Sequence, residues 1–251
     1  MTVRFPAPPQ GWSALRWEVG VVFVGIALAL LAQQLADNLY WRAQAAQAKR
    51  NIEAELLQHE RDGYERLSVQ PCLKGQLKTL ADRLSRGSED WIATPVAVNP
   101  GASREAAVRA IPSAYRAPER LWPEEAWQTA RSSGALNYLP DAVVANWAEA
   151  YGRGRRIYDL QDREAEGAAR ITALAVDGRM DASTRSELLG AIGEIDHDNA
   201  YIELAVGQSL DELRTALRTI PAARRKNGIA GRLRVQREFR GACVEDVPIR
   251  L

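Results

Sequence analysis

The sequence is poor in the residues from which catalytic and metal centres are most often built. Its 251 residues include only two histidines and two cysteines. It has no CxxC pair, no glycine-rich phosphate loop and no G-x-S-x-G elbow, which excludes the redox, nucleotide and hydrolase sites that these motifs form. A formal net charge of +1 gives no overall attraction to nucleic acid. Runs of β-branched residues are also few, which favours helices over strands.

One short motif still raises the question of a metal. In the stretch EIDHDNAY, Glu194 and His197 have the three-residue spacing of helix-borne carboxylate metal centres. The stretch belongs to a predicted helix with apolar residues every three or four positions from Ile192 to Ile220, which form a seam. At about 100° per residue, His197 lies opposite this seam and Asn199 lies within it.

The second Glu-x-x-His pair of such a centre is missing, because Leu56 stands three positions before the other histidine, His59. His59 is interpreted as a residue at the boundary of an apolar stripe. The sequence therefore predicts no catalytic residue, no metal site and no cofactor, and the protein is not expected to be an enzyme.

The strongest positive signal is an uncharged apolar run, VGVVFVGIALALLAQQLA, from Val19 to Ala36. Eighteen helical residues span about 27 Å, close to the hydrocarbon thickness of a bilayer. Aromatic residues flank the run on both sides, as in the interfacial belts of membrane helices. The run is predicted to be a single transmembrane anchor, and the interfacial anchors are Trp12, Trp17, Tyr40 and Trp41.

The orientation of this anchor is less clear from the sequence. Basic residues occur on both sides of it, so their count does not decide which side is cytoplasmic. Cys72 and Cys243 are either one disulfide or two buried thiols. We expect a bacterial inner-membrane protein with most of the chain in the periplasm. Small residues on one face of the span favour a homodimer as one alternative; they are Gly25, Ala29, Ala32 and Ala36.

The remainder reads as an elongated antiparallel helical bundle, so the predicted fold class is all-α. Proline and glycine mark the ends of the predicted helices, with Pro123, Gly134 and Pro140 at three boundaries and either Asp181 or Ser183 as the cap of the last long helix. A short helix is expected around residues 103–111. The predicted divisions are a short N-terminal segment at 1–18, the anchor at 19–36, a helical hairpin at 37–87 with a break at Ser68, a proline-containing irregular loop at 88–122, further bundle helices at 123–221 and a basic C-terminal tail at 222–251.

The basic tail is the one strong cluster of charge. Nine arginines and lysines lie between Arg214 and Arg240 against a single acid, Glu238. Such a cluster suits anionic lipid or another polyanion, whereas some of the cations also suit the negative end of a helix. Nucleic acid is not expected as a partner.

Two segments together resemble a known group of sequences. The anchor EVGVVFVGIALALLAQQL (Glu18–Leu35) and the later WQTARSSGALNYLP (Trp127–Pro140) are similar to uncharacterised single-span bacterial membrane-anchored helical proteins. The resemblance implies the layout of anchor and bundle, and no activity.

The preferred hypothesis is a membrane-anchored interaction or scaffold protein whose partners are the lipid bilayer and either other proteins or a second copy. A periplasmic sensory bundle acting through a partner is the alternative, and a carboxylate–histidine metalloprotein is the third hypothesis. The contact surface is predicted in the irregular loop and in the turn at Ser132–Leu139. Its residues are Trp91, Trp122, Trp127, Ser133, Gly134 and Leu136.

Overall fold

A computed structural model describes residues 12–87, 89–97 and 111–251, with side chains from Arg16 onward. The all-α prediction is confirmed. The described helices are α1 (Trp12–Ser85), α2 (Glu125–Ser133), α3 (Asp141–Arg170), α4 (Ala182–Ala216) and α5 (Ala222–Arg240). Residues 1–11 of the predicted N-terminal segment and the short helix predicted at 103–111 lie outside the described residues or at their edge.

Helix α1 is a continuous rod of 74 residues. The predicted hairpin at 37–87 is wrong, because the helix passes through Ser68 and Pro71 without a turn. Ser68 does not cap a new helix. Its hydroxyl instead donates 2.7 Å to the Glu65 carbonyl of the preceding turn. Val69 and Leu73 are fully buried on either side of the proline, and this packing outweighs the helix-breaking tendency of Pro71.

The other long helices surround the second half of α1. Helix α3 runs parallel to α1, because its Tyr151 and Glu164 bond to Glu55 and Arg66 in the same order along both helices. Helix α5 is also parallel to α1, because its Arg225 and Arg232 pair with Glu60 and Glu65 in the same order. Helix α4 runs antiparallel to it, and Asn199 bonds to Arg66. The apolar core is divided into two clusters along α1. A polar layer separates them, and its α1 residues are Glu60, Asp62, Glu65, Arg66, Ser68 and Gln70.

The helix boundaries follow the predicted punctuation closely. Gly134 ends α2 in a left-handed conformation with φ 78°, which glycine adopts without steric cost. Pro140 precedes α3, and Asp181 caps α4 by accepting 2.7 Å from the Thr184 amide. Short 3₁₀ turns cover Ala135–Tyr138, Thr172–Ala175 and Gly241–Cys243. Strands β1 (Asp90–Trp91) and β2 (Gly178–Arg179) pair antiparallel.

The predicted basic tail at 222–251 is largely a packed helix. In α5, Arg225, Ile229 and Leu233 are buried against α1. The chain after α5 also returns to α1, because the Glu245 amide donates 2.8 Å to the Ser68 carbonyl and Tyr64 Oη donates 2.7 Å to the Arg250 carbonyl. The division into a bundle that ends at residue 221 and a separate tail is therefore corrected, since apolar residues at helical spacing attach this segment to the bundle.

Candidate functional site

The first part of α1 carries a long exposed apolar surface. Its large side chains from Val19 to Leu39 are all exposed, and Phe23 is 73% exposed. An 18-residue window in this helix reaches a mean hydropathy of 2.2 with none of its residues buried. Among the described residues, α1 is the one helix that is long and apolar enough to cross a membrane. By length and composition it is a candidate anchor.

The interfacial aromatic residues divide into two kinds. Trp17 and Tyr40 are exposed, whereas Trp41 stacks on Tyr138 with ring centroids 5.4 Å apart and planes 3° from parallel. The side chain of Trp12 lies outside the described residues. Trp41 is five residues beyond Ala36, or about 7.5 Å along a helix. The 3₁₀ turn Ala135–Tyr138 therefore lies beside the end of the apolar surface.

The predicted contact surface is only partly exposed. Trp91, Trp122 and Trp127 are at most 6% exposed, so their assignment to an interaction surface is corrected. These large rings fill the core, and Trp127 stacks on Tyr151 with centroids 5.3 Å apart. In the turn, Ser133 is exposed, and Gly134 and Leu136 are half-buried.

The loop nevertheless presents apolar side chains to solvent. They are Ile92, Ile111 and Leu121, of which Leu121 is 77% exposed. The sequence analysis assigned the tryptophans to the contact surface. The structure places the smaller aliphatic residues outside.

The side chains of the EIDHDNAY stretch of α4 have the orientations predicted from the seam. Ile195 and Asn199 are buried, and Glu194 and His197 are exposed. Glu194 pairs with Arg170 and Asp198 lies 3.1 Å from Arg163, both on α3. Within the described residues, histidines, cysteines and carboxylates form no group of three or more that could hold a metal ion.

A buried polar cluster centred on Arg66 is the feature that sequence reasoning missed. Its guanidinium donates to both oxygens of Glu164, at 2.8 and 2.7 Å, and to Asn199 Oδ1 at 2.6 Å. Tyr115 donates to Glu164 and accepts 2.6 Å from Asn199 Nδ2. Gln70 accepts 3.2 Å from Arg66 Nε. The cluster joins α1, α3, α4 and the loop through hydrogen bonds to charged groups.

The electrostatics of this cluster follow from burial and pairing. Burial acts to lower the pKa of Arg66, but the opposing charge of Glu164 raises it above the usual value. Burial, together with Glu164, holds the pKa of Tyr115 well above its usual range. Arg66 therefore stays cationic and Tyr115 stays a neutral donor, so the cluster is suited to holding helices in register and unsuited to proton transfer near neutral pH.

A second group of buried charges lies on the neighbouring face of α1. Arg120 donates 3.1 and 2.6 Å to Glu65. Arg232 Nη2 lies 2.8 Å from Asp62 Oδ1, although the angle is poor for a hydrogen bond. Burial raises the pKa of Asp62, and the Arg232 charge opposes that rise. The signal in the sequence was the break in the α1 apolar stripe between Leu56 and Leu67, which is filled by charged residues.

His59 is a core residue, which corrects its interpretation as a boundary residue. Its Nε2 lies 2.8 Å from the Pro123 carbonyl, so Nε2 carries the proton and donates. The ring packs on Trp122 and Tyr151, and a Cβ at Gly154 would lie 3.3 Å from its Nδ1. Burial lowers the pKa of His59 from 6.5 to about 4. The neutral ring serves packing.

The two cysteines are joined. Cys72 of α1 and Cys243, just after α5, form a disulfide that closes a separation of 171 residues, one of the two alternatives that the sequence left open. The bond lies at the same end of α5 as Arg240 and holds the C-terminal segment against α1.

The chain was compared with protein families, curated proteins and solved structures. No family model, no curated protein and no solved structure matches the chain.

Proposed function

We propose that the protein is a non-enzymatic interaction or scaffold module, anchored by α1 in the bacterial inner membrane with its bundle in the periplasm. One observation carries the proposal: a single helix leads from an exposed apolar surface into the centre of the bundle. Exposed apolar area costs about 25 cal/mol per Å² in water, and a bilayer removes that cost. A rigid connection fixes the height of the bundle above the lipid.

The membrane-proximal turn supports this arrangement. Tyr138 is 47% exposed and stacks on Trp41, about 7.5 Å beyond Ala36. Amphipathic rings favour this interfacial depth. The turn predicted as a contact surface is thus suited to the lipid headgroups, and the aliphatic residues Ile92, Ile111 and Leu121 are the better surface for a protein partner.

The periplasmic side is supported by the disulfide, because such bonds persist in oxidising compartments. A scaffold role is supported by the polar layer, whose carboxylates Glu60, Glu65 and Glu164 pair with guanidinium groups of other helices or of the loop before α2. These ion pairs hold the parts of the bundle together, so the paired carboxylates serve its assembly.

Extraction with alkaline carbonate tests the anchor. The intact chain should remain in the membrane pellet, whereas its release into the supernatant would overturn the proposal.

The orientation of the chain is tested by cysteine labelling. Leu121→Cys should react with a membrane-impermeant maleimide in spheroplasts, and Thr2→Cys should react only after lysis. The reverse pattern would place the bundle in the cytoplasm.

The partner surface is tested by a photo-crosslinking amino acid at Leu121, with the same amino acid at exposed Glu187 of α4 as the matched control. We expect a specific adduct from position 121 in intact cells and none from position 187. Equal adducts from both sites would remove the loop surface from the proposal.

A further inference from the structure

A cleft lies between the segment that precedes α2 and the outer face of α3. Its volume is about 330 Å³, at the lower end of the range for small-molecule sites. Both walls contain apolar residues beside polar ones. The segment contributes Ile111, Pro112, Ala117 and Pro118, and α3 contributes Ala165 and Ala168.

Arg116 lines this cleft without a counter-charge. Its Nη2 donates 2.6 Å to the Ile111 carbonyl, while its Nε is buried and has no hydrogen-bond partner among the described residues. Within the same residues no carboxylate pairs with Arg116 at ion-pair distance. Burial lowers the pKa of this guanidinium, but an arginine remains charged at neutral pH. A guanidinium that has no carboxylate partner among the described residues and lines a cleft is a group to which the carboxylate of a ligand can bind.

The surroundings of Arg116 also carry an excess of positive charge. Arg240 donates 2.6 Å to the Arg116 carbonyl, and burial lowers the pKa of Arg240 to about 10. Among the described residues of this region, five guanidinium groups face four carboxylates, so one positive charge is left over. The cations are Arg66, Arg116, Arg120, Arg232 and Arg240, and the anions are Asp62, Glu65, Glu119 and Glu164.

Two acids of the cleft limit the charge of a ligand. Glu164 is already paired with Arg66, and Glu119 is exposed at the cleft. Both would repel a second negative charge. One guanidinium beside apolar walls fits one carboxylate that is attached to a small apolar body, because arginine binds carboxylates through paired hydrogen bonds.

We propose that this cleft is a binding site for small organic monocarboxylates, with the carboxylate on Arg116 and the apolar body between the loop segment and α3. The site is independent of the scaffold proposal. It gives the bundle a ligand-binding capacity of the kind that the sensory alternative requires.

The test uses the full chain in nanodiscs and ligand-observed fluorine NMR of 4-fluorobenzoate. We expect saturable broadening that benzoate reverses. Benzamide has the same shape without the charge and should compete at least about tenfold more weakly, since a charge-assisted hydrogen bond contributes about 1.5–3 kcal/mol. Inorganic phosphate, which lacks an apolar body, should not compete at the same concentration.

Variants separate the two halves of the site. Arg116→Gln should abolish saturable binding, and so should Ala165→Leu, which fills the apolar wall at an exposed position. Arg163→Gln and Ala169→Leu are matched controls on α3 outside the cleft and should bind as the parent does. Unchanged circular dichroism and melting temperature establish that each variant is folded.

Absence of saturable binding in the parent, or equal binding by Arg116→Gln, would overturn the proposal. Equal competition by phosphate would replace it with a simple anion site. All of these outcomes are independent of carbonate extraction and crosslinking, so this proposal and the scaffold proposal fail separately.

Discussion

At the scale of the residue, the stability of the bundle depends most directly on Arg66. Replacing it with methionine keeps the length of the side chain but leaves the Glu164 carboxylate buried without its bidentate partner. Breaking a buried pair in this way costs about 3–5 kcal/mol. We expect Arg66→Met to lower the free energy of unfolding near pH 7 by that amount, measured by urea titration with circular dichroism in detergent.

Two companion variants make this prediction specific. Arg163→Ala removes a pair between an exposed arginine and the half-buried Asp198 and should cost less than about 1 kcal/mol. Arg66→Met combined with Glu164→Leu removes both buried charges and should recover most of the loss. A cost below about 1 kcal/mol for Arg66→Met alone would show that solvent reaches Glu164 despite its burial.

His59 predicts a pH dependence of stability. Its pKa is lowered from 6.5 to about 4 in the folded chain, so between these values the unfolded state binds the additional proton. The contribution is therefore fully present above pH 6.5 and is lost as pH falls toward 4, by up to about 3 kcal/mol. His59→Gln keeps a donor toward the Pro123 carbonyl and should remove this component.

The measurement is the difference in unfolding free energy between parent and His59→Gln at intervals from pH 4 to 8. Taking the difference cancels the contribution of nearby carboxylates such as Glu55, Glu124 and Glu125. A difference that stays constant across the range would contradict the assignment.

Single residues also show how far sequence reasoning extended. Asn199 was placed in the α4 seam because its neighbours repeat every three or four positions, and it is fully buried. Arg66 and His59 were not placed in the core, because their burial depends on partners such as Glu164 and Pro123 that are distant in sequence. Local periodicity carries no information about those partners.

At the scale of the element, a close helix crossing gives a prediction with a matched control. A Cβ at Gly167 of α3 would lie 2.7 Å from Ile195 Cγ1 of α4. Overpacking costs about 1–3 kcal/mol, which exceeds the gain of about 0.5–1 kcal/mol from alanine in a helix. Gly167→Ala should therefore destabilise the protein.

Gly152 of α3 is the control, because a Cβ there meets nothing within 4 Å among the described residues. Gly152→Ala should stabilise by about 0.5–1 kcal/mol. The same urea titration measures both variants. If Gly167→Ala were also stabilising, α3 and α4 would have to be further apart than the structure places them.

Helix boundaries were predictable where a residue acts locally and were missed where packing prevails. Gly134 and Asp181 act through their own backbone or side chain. Gly134 was predicted correctly, and Asp181 is one of the two caps that the sequence left open. Pro71 also acts locally, because proline disfavours the interior of a helix. Helix α1 nevertheless continues through it, since Val69 and Leu73 are buried. Helix α5 was predicted as a tail for a related reason. Its sequence has many cations, and these obscure the apolar residues Ile229 and Leu233 that are buried in the structure.

At the scale of the whole molecule, the chain separates into an exposed apolar part of α1 and a bundle with a buried core. The apolar core along α1 begins at Ala45, and the described side chains before Asp37 bury no large apolar group. Beyond that point two apolar clusters enclose the polar layer. The folding free energy of the bundle therefore comes from residues after Asp37, and the exposed apolar part of α1 contributes little to it.

A truncation measures this separation. A chain beginning at Asn38 should dissolve without detergent and match the unfolding free energy of the full chain within about 0.5 kcal/mol, because the side chains that the structure describes between Arg16 and Asp37 bury no large apolar group. A chain beginning at Gln47 also loses Ala45 and the Trp41–Tyr138 stack and should be less stable by about 1–3 kcal/mol. Aggregation of the first chain, or equal stability of the two, would mean that the boundary between anchor and bundle lies elsewhere on α1.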